Sequence, residues 1–216
     1  MAIERLFIEG PAGALQAIVE DSKADGRSYA VICHPHSLFG GTMDNKVVTT
    51  VARALHDAGM ATVRFNFRGV GASAGVFDQG VGETADADAV SAWGAERWPS
   101  RTLVIAGFSF GAYVALRLAQ RRLPQHRLPQ LRVPRYLMAI APAVQLFDES
   151  PVIAPPCPWL VVQGDADDVV SPAAVLDWAS GLDPKPRVVV LRGVGHFFHG
   201  RLHDLRAAVL DAIRSG

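Results

Sequence analysis

Apolar positions along this chain follow two rhythms. Short runs rich in Val, Ile, Leu and Ala occupy residues 29–33, 61–65, 103–106, 136–140, 159–162 and 187–191, and short runs this apolar read as strands buried on both faces. Between them the spacing turns helical. Residues 46–58 put Val47, Val48, Val51, Ala52 and Leu55 on one face and stop at Gly59, while 83–98, 112–122 and 202–213 have the same helical character. Each strand is thus expected to be followed by a helix. That alternation implies a doubly wound, mostly parallel α/β sheet with helices on both faces, whose ligands bind beyond the carboxyl ends of the strands.

The N-terminal stretch differs. Residues 6–8 and 15–19 alternate around the turn Gly10-Pro11-Ala12-Gly13, which predicts a hairpin forming an antiparallel edge. Residues 121–135, with five arginines and three prolines, read as a solvated loop rather than an anion-binding arm. Residues 142–158 hold Pro142, Pro151, Pro155, Pro156 and Pro158 and no convincing long helix, so little or no cap is expected over the sheet. No linker or internal repeat interrupts the chain. With 216 residues, 50% of them apolar, and a mean hydropathy of +0.19, residues 1–216 are read as one domain around one sizeable core.

Charge narrows the partners. Lys plus Arg equals Asp plus Glu at 21 each, so no summed field recruits nucleic acid or an anionic membrane, and a small neutral or weakly charged molecule is favoured. Two cysteines are too few for a disulfide scaffold, and MAIERLFIEG lacks the basic start and apolar stretch of a signal peptide. A cytoplasmic protein is expected. No apolar run approaches the roughly eighteen residues that a membrane-spanning helix needs.

The pattern GxSxG occurs twice, at Gly107-Phe108-Ser109-Phe110-Gly111 and at Gly71-Ala72-Ser73-Ala74-Gly75. Its recurrence shows how weak it is alone. Ser109 directly follows the strand at 103–106 and precedes a helical segment, the strand, tight turn and helix that expose a nucleophile and aim backbone N–H groups at a developing oxyanion. Ser73 lies among glycines with no helix behind it and reads as a loop serine. A serine hydroxyl needs a base, and that base needs an orienting group. Two later strands end in suitable residues: Asp165, Asp167 and Asp168 crowd the turn after 159–163, and His196 ends the loop Gly193-Val194-Gly195.

Four segments then carry a resemblance over nearly the whole chain: Cys33-His34-Pro35-His36, residues 65–73, the Ser109 elbow, and the paired turns Gly164-Asp165-Ala166-Asp167 and Gly195-His196. In these the chain resembles the α/β-hydrolase superfamily, particularly its small, cap-poor serine esterases. The resemblance implies Ser109 as nucleophile, His196 as base, Asp167 in the acid position of a Gly-x-x-Asp turn, and the Phe110 amide as one oxyanion donor. Many members have His-Gly before the second donor. Here Pro35 replaces that glycine and has no N–H, leaving the His36 amide as first choice and Ser37 as second. The implied reaction is hydrolysis of a small carboxylic ester or thioester, with no cofactor or metal.

Other candidates have plainer readings. His199 and His203 stand four apart and are read as having no acidic third ligand nearby in sequence, so surface or helix-cap roles are expected. His34 and His36 are expected to shape the pocket, His56 and His126 to face solvent, Asp165 to bond its own turn, and Cys33 to act as a small apolar residue. Residues 69–74 fit the dinucleotide pattern GxGxxA with Asp88 about twenty residues on. No helix opens at the third small residue, however, and Asp86 and Asp88 fall in a helical segment. A catalytically idle binding module remains a third reading.

Overall fold

Eight strands form one sheet: β1 (Ile3–Gly10), β2 (Gly13–Glu20), β3 (Ser28–Cys33), β4 (Ala61–Phe65), β5 (Thr102–Phe108), β6 (Tyr136–Ile140), β7 (Trp159–Gly164) and β8 (Arg187–Leu191). The computed structural model describes residues 3–22, 26–121, 133–147, 153–155 and 157–215. His126 and residues 122–132 of the basic stretch lie outside them, as do Pro151 and Pro156. The order across the sheet is β1-β2-β4-β3-β5-β6-β7-β8. From β4 to β8 neighbours are parallel. The predicted hairpin forms the antiparallel edge, with β2 also antiparallel to β4.

Period-two alternation divides the core between the faces. On β5, Leu103 and Ile105 face α2 (Val81–Arg97), α3 (Phe110–Arg121) and α4 (Pro172–Ser180), whereas Val104, Ala106 and Phe108 face α1 (Lys46–Asp57) and α5 (Leu202–Ser215). A strand covered on both sides has no polar face, which is why these runs are mostly apolar. At the far edge the expectation was too strong. β8 leaves Val188 and Val190 exposed, because successive side chains point to opposite faces. Val189 and Leu191 pack on the α5 side, whereas α4 packs on β7 and leaves the other face of this edge strand open.

One helix lies outside the reading. α4 was not singled out, although Ser171 caps it by accepting from the Ala174 N–H at 3.3 Å and Pro172 opens it, a start signal readable in the sequence. Between β6 and β7 the described residues form a 3-10 turn at Val144–Leu146 and no α-helix.

The chain lays β4 outside β3 and then returns to place β5 on the other side of β3. The loops leaving β3 and β5 therefore diverge, and open α/β sheets bind ligands at such a reversal.

Candidate active site

Ser109 sits between β5 and α3 with φ +55°, a left-handed conformation that residues other than glycine seldom adopt. Close backbone approach explains its glycines. A Cβ on Gly107 would lie 2.0 Å from the Gly111 carbonyl oxygen, and one on Gly111 would lie 2.3 Å from that of Cys33. The second contact presses the loop after β3 against the start of α3. The Ser109 N–H donates to Ile140 O at 2.9 Å, and the Ser109 carbonyl accepts from the Ala112 N–H at 3.0 Å, so both neighbours hold the bend.

The fold brings Ser109, His196 and Asp167 together. His196 Nε2 lies 3.0 Å from Ser109 Oγ, and its Nδ1 lies 2.8 Å from Asp167 Oδ2. The same Oδ2 accepts from Gln163 Nε2 at 2.9 Å, while Oδ1 accepts from the Val169 and Val170 N–H groups at 2.9 and 2.8 Å. Burial raises the Asp167 pKa, yet the His196 hydrogen bond, the two backbone bonds and the His196 charge outweigh it and hold the carboxyl below its ordinary value. A carboxylate at Nδ1 keeps the proton there, leaving the Nε2 lone pair for the serine hydroxyl. The His196 ring is buried beside Phe108 and Phe197, with centroids at 5.0 and 5.1 Å.

The other two aspartates separate. Asp168 is exposed. Asp165 does not bond its own turn as expected: its Oδ1 accepts from the Gly193 N–H at 2.6 Å, while the Ala166 N–H donates to Val194 O at 3.1 Å. β7 and β8 are parallel neighbours, so the loops from their carboxyl ends emerge side by side and Asp165 stitches them together.

Gln163 is the residue that sequence reasoning missed. It is fully buried on β7 with Nε2 on Asp167 and Oε1 unpartnered. One amide in an otherwise apolar strand was the available signal, since a buried polar group requires a partner.

The Phe110 N–H opens α3 and so has no acceptor within the helix. Across from it, the His36 ring packs 4.8 Å from the Phe110 ring, and its Nδ1 accepts from the Leu38 N–H at 3.3 Å in the 3-10 turn Ser37–Phe39. Burial lowers the His36 pKa, with Glu83 opposing.

His34 is fully buried and neutral. Its Nδ1–H donates to Pro35 O at 2.6 Å and its Nε2 accepts from the Phe67 N–H at 3.0 Å, tying the loop after β3 to the one after β4. Burial lowers its pKa to about 4, against a partly offsetting bond to Pro35. Between that value and an unfolded value of about 6.5 the unfolded chain holds the extra proton, so stability rises with pH there and falls on acidification. The loss expected from pH 7 to pH 4 is about 3 kcal/mol from this group. Urea midpoints at both pH values should show a smaller acid loss in His34→Gln, whose amide can take both partners; equal losses would refute this role.

Ser73 is structural: its Oγ donates to Asn66 O at 2.7 Å and accepts from the Gln16 N–H at 3.0 Å. The dinucleotide pattern at 69–74 closes on itself through Gly69 N–H to Ala74 O, and α2 starts only at Val81. Asp86 is buried on α2 and bonded by the Arg68 backbone N–H, Nε and Nη2. His199 and His203 are exposed, and His203 pairs at 2.9 Å with Asp204, an acidic neighbour passed over in the sequence. His56 is half-buried, not solvent-facing. Burial, with Asp86 adding, pushes the Cys33 thiol up, and burial pushes Cys157 up to about 12.

The sheet, its reversal point and the strained serine elbow are those of an α/β hydrolase of the serine type. More narrowly, the chain belongs to the X-Pro dipeptidyl-peptidase (S15) family, whose pattern matches residues 18–134. That match includes Ser109 and ends before Asp167 and His196. The crystal structure of XC6422 from Xanthomonas campestris, described as an α/β serine hydrolase without lid, is 44% identical with a TM-score of 0.88, covering 100% of this chain and 95% of that one. An α/β serine hydrolase homologue from Coxiella burnetii is 40% identical with a TM-score of 0.89, covering 98% and 97%. An uncharacterised Rickettsia prowazekii protein, RP471, is 33% identical over 96% of this chain and 87% of its own length.

Proposed function

We propose that the protein is a serine esterase acting on small carboxylic esters or thioesters through an acyl-enzyme. The observation that carries this reading is the unbroken chain of contacts from Ser109 Oγ through His196 to Asp167, at 3.0 and 2.8 Å. In the proposed cycle Ser109 Oγ attacks the carbonyl carbon as its proton passes to His196 Nε2, and Asp167 stabilises the imidazolium. The oxyanion accepts from the Phe110 and His36 N–H groups. Collapse breaks the bond to the leaving oxygen or sulfur, which takes the proton from Nε2. Water then repeats the sequence, releasing the acid and free Ser109.

The family's name raises amide cleavage as a second reading. Removal of an N-terminal dipeptide calls for a carboxylate to hold the substrate ammonium, and the described residues lining the cavity beside Ser109 include none. That favours the ester. Two buried thiols without a disulfide suit the cytoplasm, and among the described residues no helix is long and apolar enough to cross a membrane.

A screen of short-chain p-nitrophenyl esters, thioesters and X-Pro p-nitroanilides tests the reading. Turnover of esters is expected, unaffected by chelators and without a jump in rate above the micelle concentration of a long-chain ester. Cleavage of the anilides alone would transfer the assignment to a peptidase, and no reaction with a fluorophosphonate would favour an idle binding module.

A further inference from the structure

A cavity of about 390 Å³ adjoins the elbow, walled by His36, Phe77, Phe110 and Tyr113, with Leu146 and the glutamines Gln79 and Gln145 completing it. Its walls are a set of rings already in contact. His36 lies 4.9 Å from Phe77 and 4.8 Å from Phe110, Phe77 lies 5.8 Å from Phe110, and Phe110 lies 6.0 Å from Tyr113, all at interplanar angles between 36° and 48°.

These walls are held in place. Glu83, fully buried on α2, accepts from the Asp78 N–H at 2.8 Å and from the Gly80 N–H at 2.7 Å, which fixes the loop bearing Phe77 and Gln79. Gln79 itself has φ +50°, a strained conformation that persists only where the surroundings impose it. Tyr113 is backed by Phe147, stacked at 5.7 Å. A cavity of fixed, tilted rings gives an incoming aromatic ring edge and face contacts beyond what area alone supplies, whereas an aliphatic group gains the area only. Among the described residues the lining carries no Lys, Arg, Asp or Glu, which suits an uncharged occupant.

The position of the cavity distinguishes the two halves of an ester. The leaving group must face His196, from which it takes a proton. Among the described residues lining the cavity none comes from the histidine loop, and two, His36 and Phe110, come from the oxyanion side.

Resting on the esterase reading, we infer that this cavity is the acyl pocket and that the preferred substrates are esters of uncharged acids bearing an aromatic ring on a short chain. The ring lies among Phe77, Phe110 and Tyr113.

Methyl esters test this without placing a second ring in the leaving group. Acid release from methyl 3-phenylpropionate should exceed that from methyl 3-cyclohexylpropionate by about tenfold in kcat/KM, the size of effect that ring contacts contribute. Phe77→Leu should narrow the ratio to about threefold or less, one ring contact being lost. Competitive inhibition by the two free acids should rank them in the same order in the unmodified enzyme, whether or not the variant folds. Equal rates, a faster cyclohexyl ester, or a ratio unchanged in a folded Phe77→Leu would overturn the aryl pocket. If methyl acetate or other small esters are hydrolysed without any phenyl preference, only this inference falls; if no ester is hydrolysed, the esterase reading falls with it.

Discussion

Ser109→Ala is expected to abolish ester hydrolysis and fluorophosphonate labelling, whereas Ser73→Ala should keep most of its activity per folded molecule. Loss of a catalytic serine in enzymes of this type lowers kcat on the order of a millionfold. The second serine serves as an internal control because it occupies the same five-residue pattern. Its hydroxyl bridges Asn66 O and the Gln16 N–H, so its removal leaves buried groups unpaired at about 1–3 kcal/mol of stability. The expected signature of Ser73→Ala is therefore a lower unfolding midpoint with the turnover rate largely retained. Labelling and kcat should be measured on both purified variants; an active, labelled Ser109→Ala would end the assignment.

Asp167→Asn should lower kcat by about four orders of magnitude, as the equivalent change does in a serine protease, while Asp168→Asn should change it less than about tenfold. The hydrogen bonds give the reason. Asp167 receives four donors, two backbone N–H groups on Oδ1 and the His196 and Gln163 side chains on Oδ2, and an asparagine offers only one acceptor oxygen. With that oxygen kept on the backbone, its NH₂ faces His196 Nδ1 and forces it to accept. The imidazole proton then moves to Nε2, where it blocks uptake of the serine proton. Gln163 favours this state, since turning its amide sets the unpartnered Oε1 against the new NH₂. Asp168 is exposed and makes no such demand. A crippled Asp168→Asn beside a near-normal Asp167→Asn would move the acid by one residue.

Local signals carried much of this far. A strand covered on both faces is apolar at most positions, so β3 to β7 could be read directly, and the alternation of β1 and β2 around a glycine turn marked the hairpin. The distinction between the two GxSxG sites was equally local, because Ser109 alone has a strand before it and a helix after it. The resemblance to α/β hydrolases followed from residues placed at strand ends.

What the chain determines by itself is thus the set of elements and the residues at their carboxyl ends. Which of those ends become neighbours depends on strand order, a property of contacts between residues far apart in sequence. Only the tertiary structure shows β8 as an exposed edge, the crossing from β6 to β7 with a 3-10 turn as its only described helical element, and Asp165 reaching across to Gly193. The same holds for Gln163 under the acid and for Glu83 behind the aromatic cavity. A buried polar side chain announces that it needs a partner, but burial and partner are both created by the packing of distant segments, so neither can be assigned until the sheet is assembled.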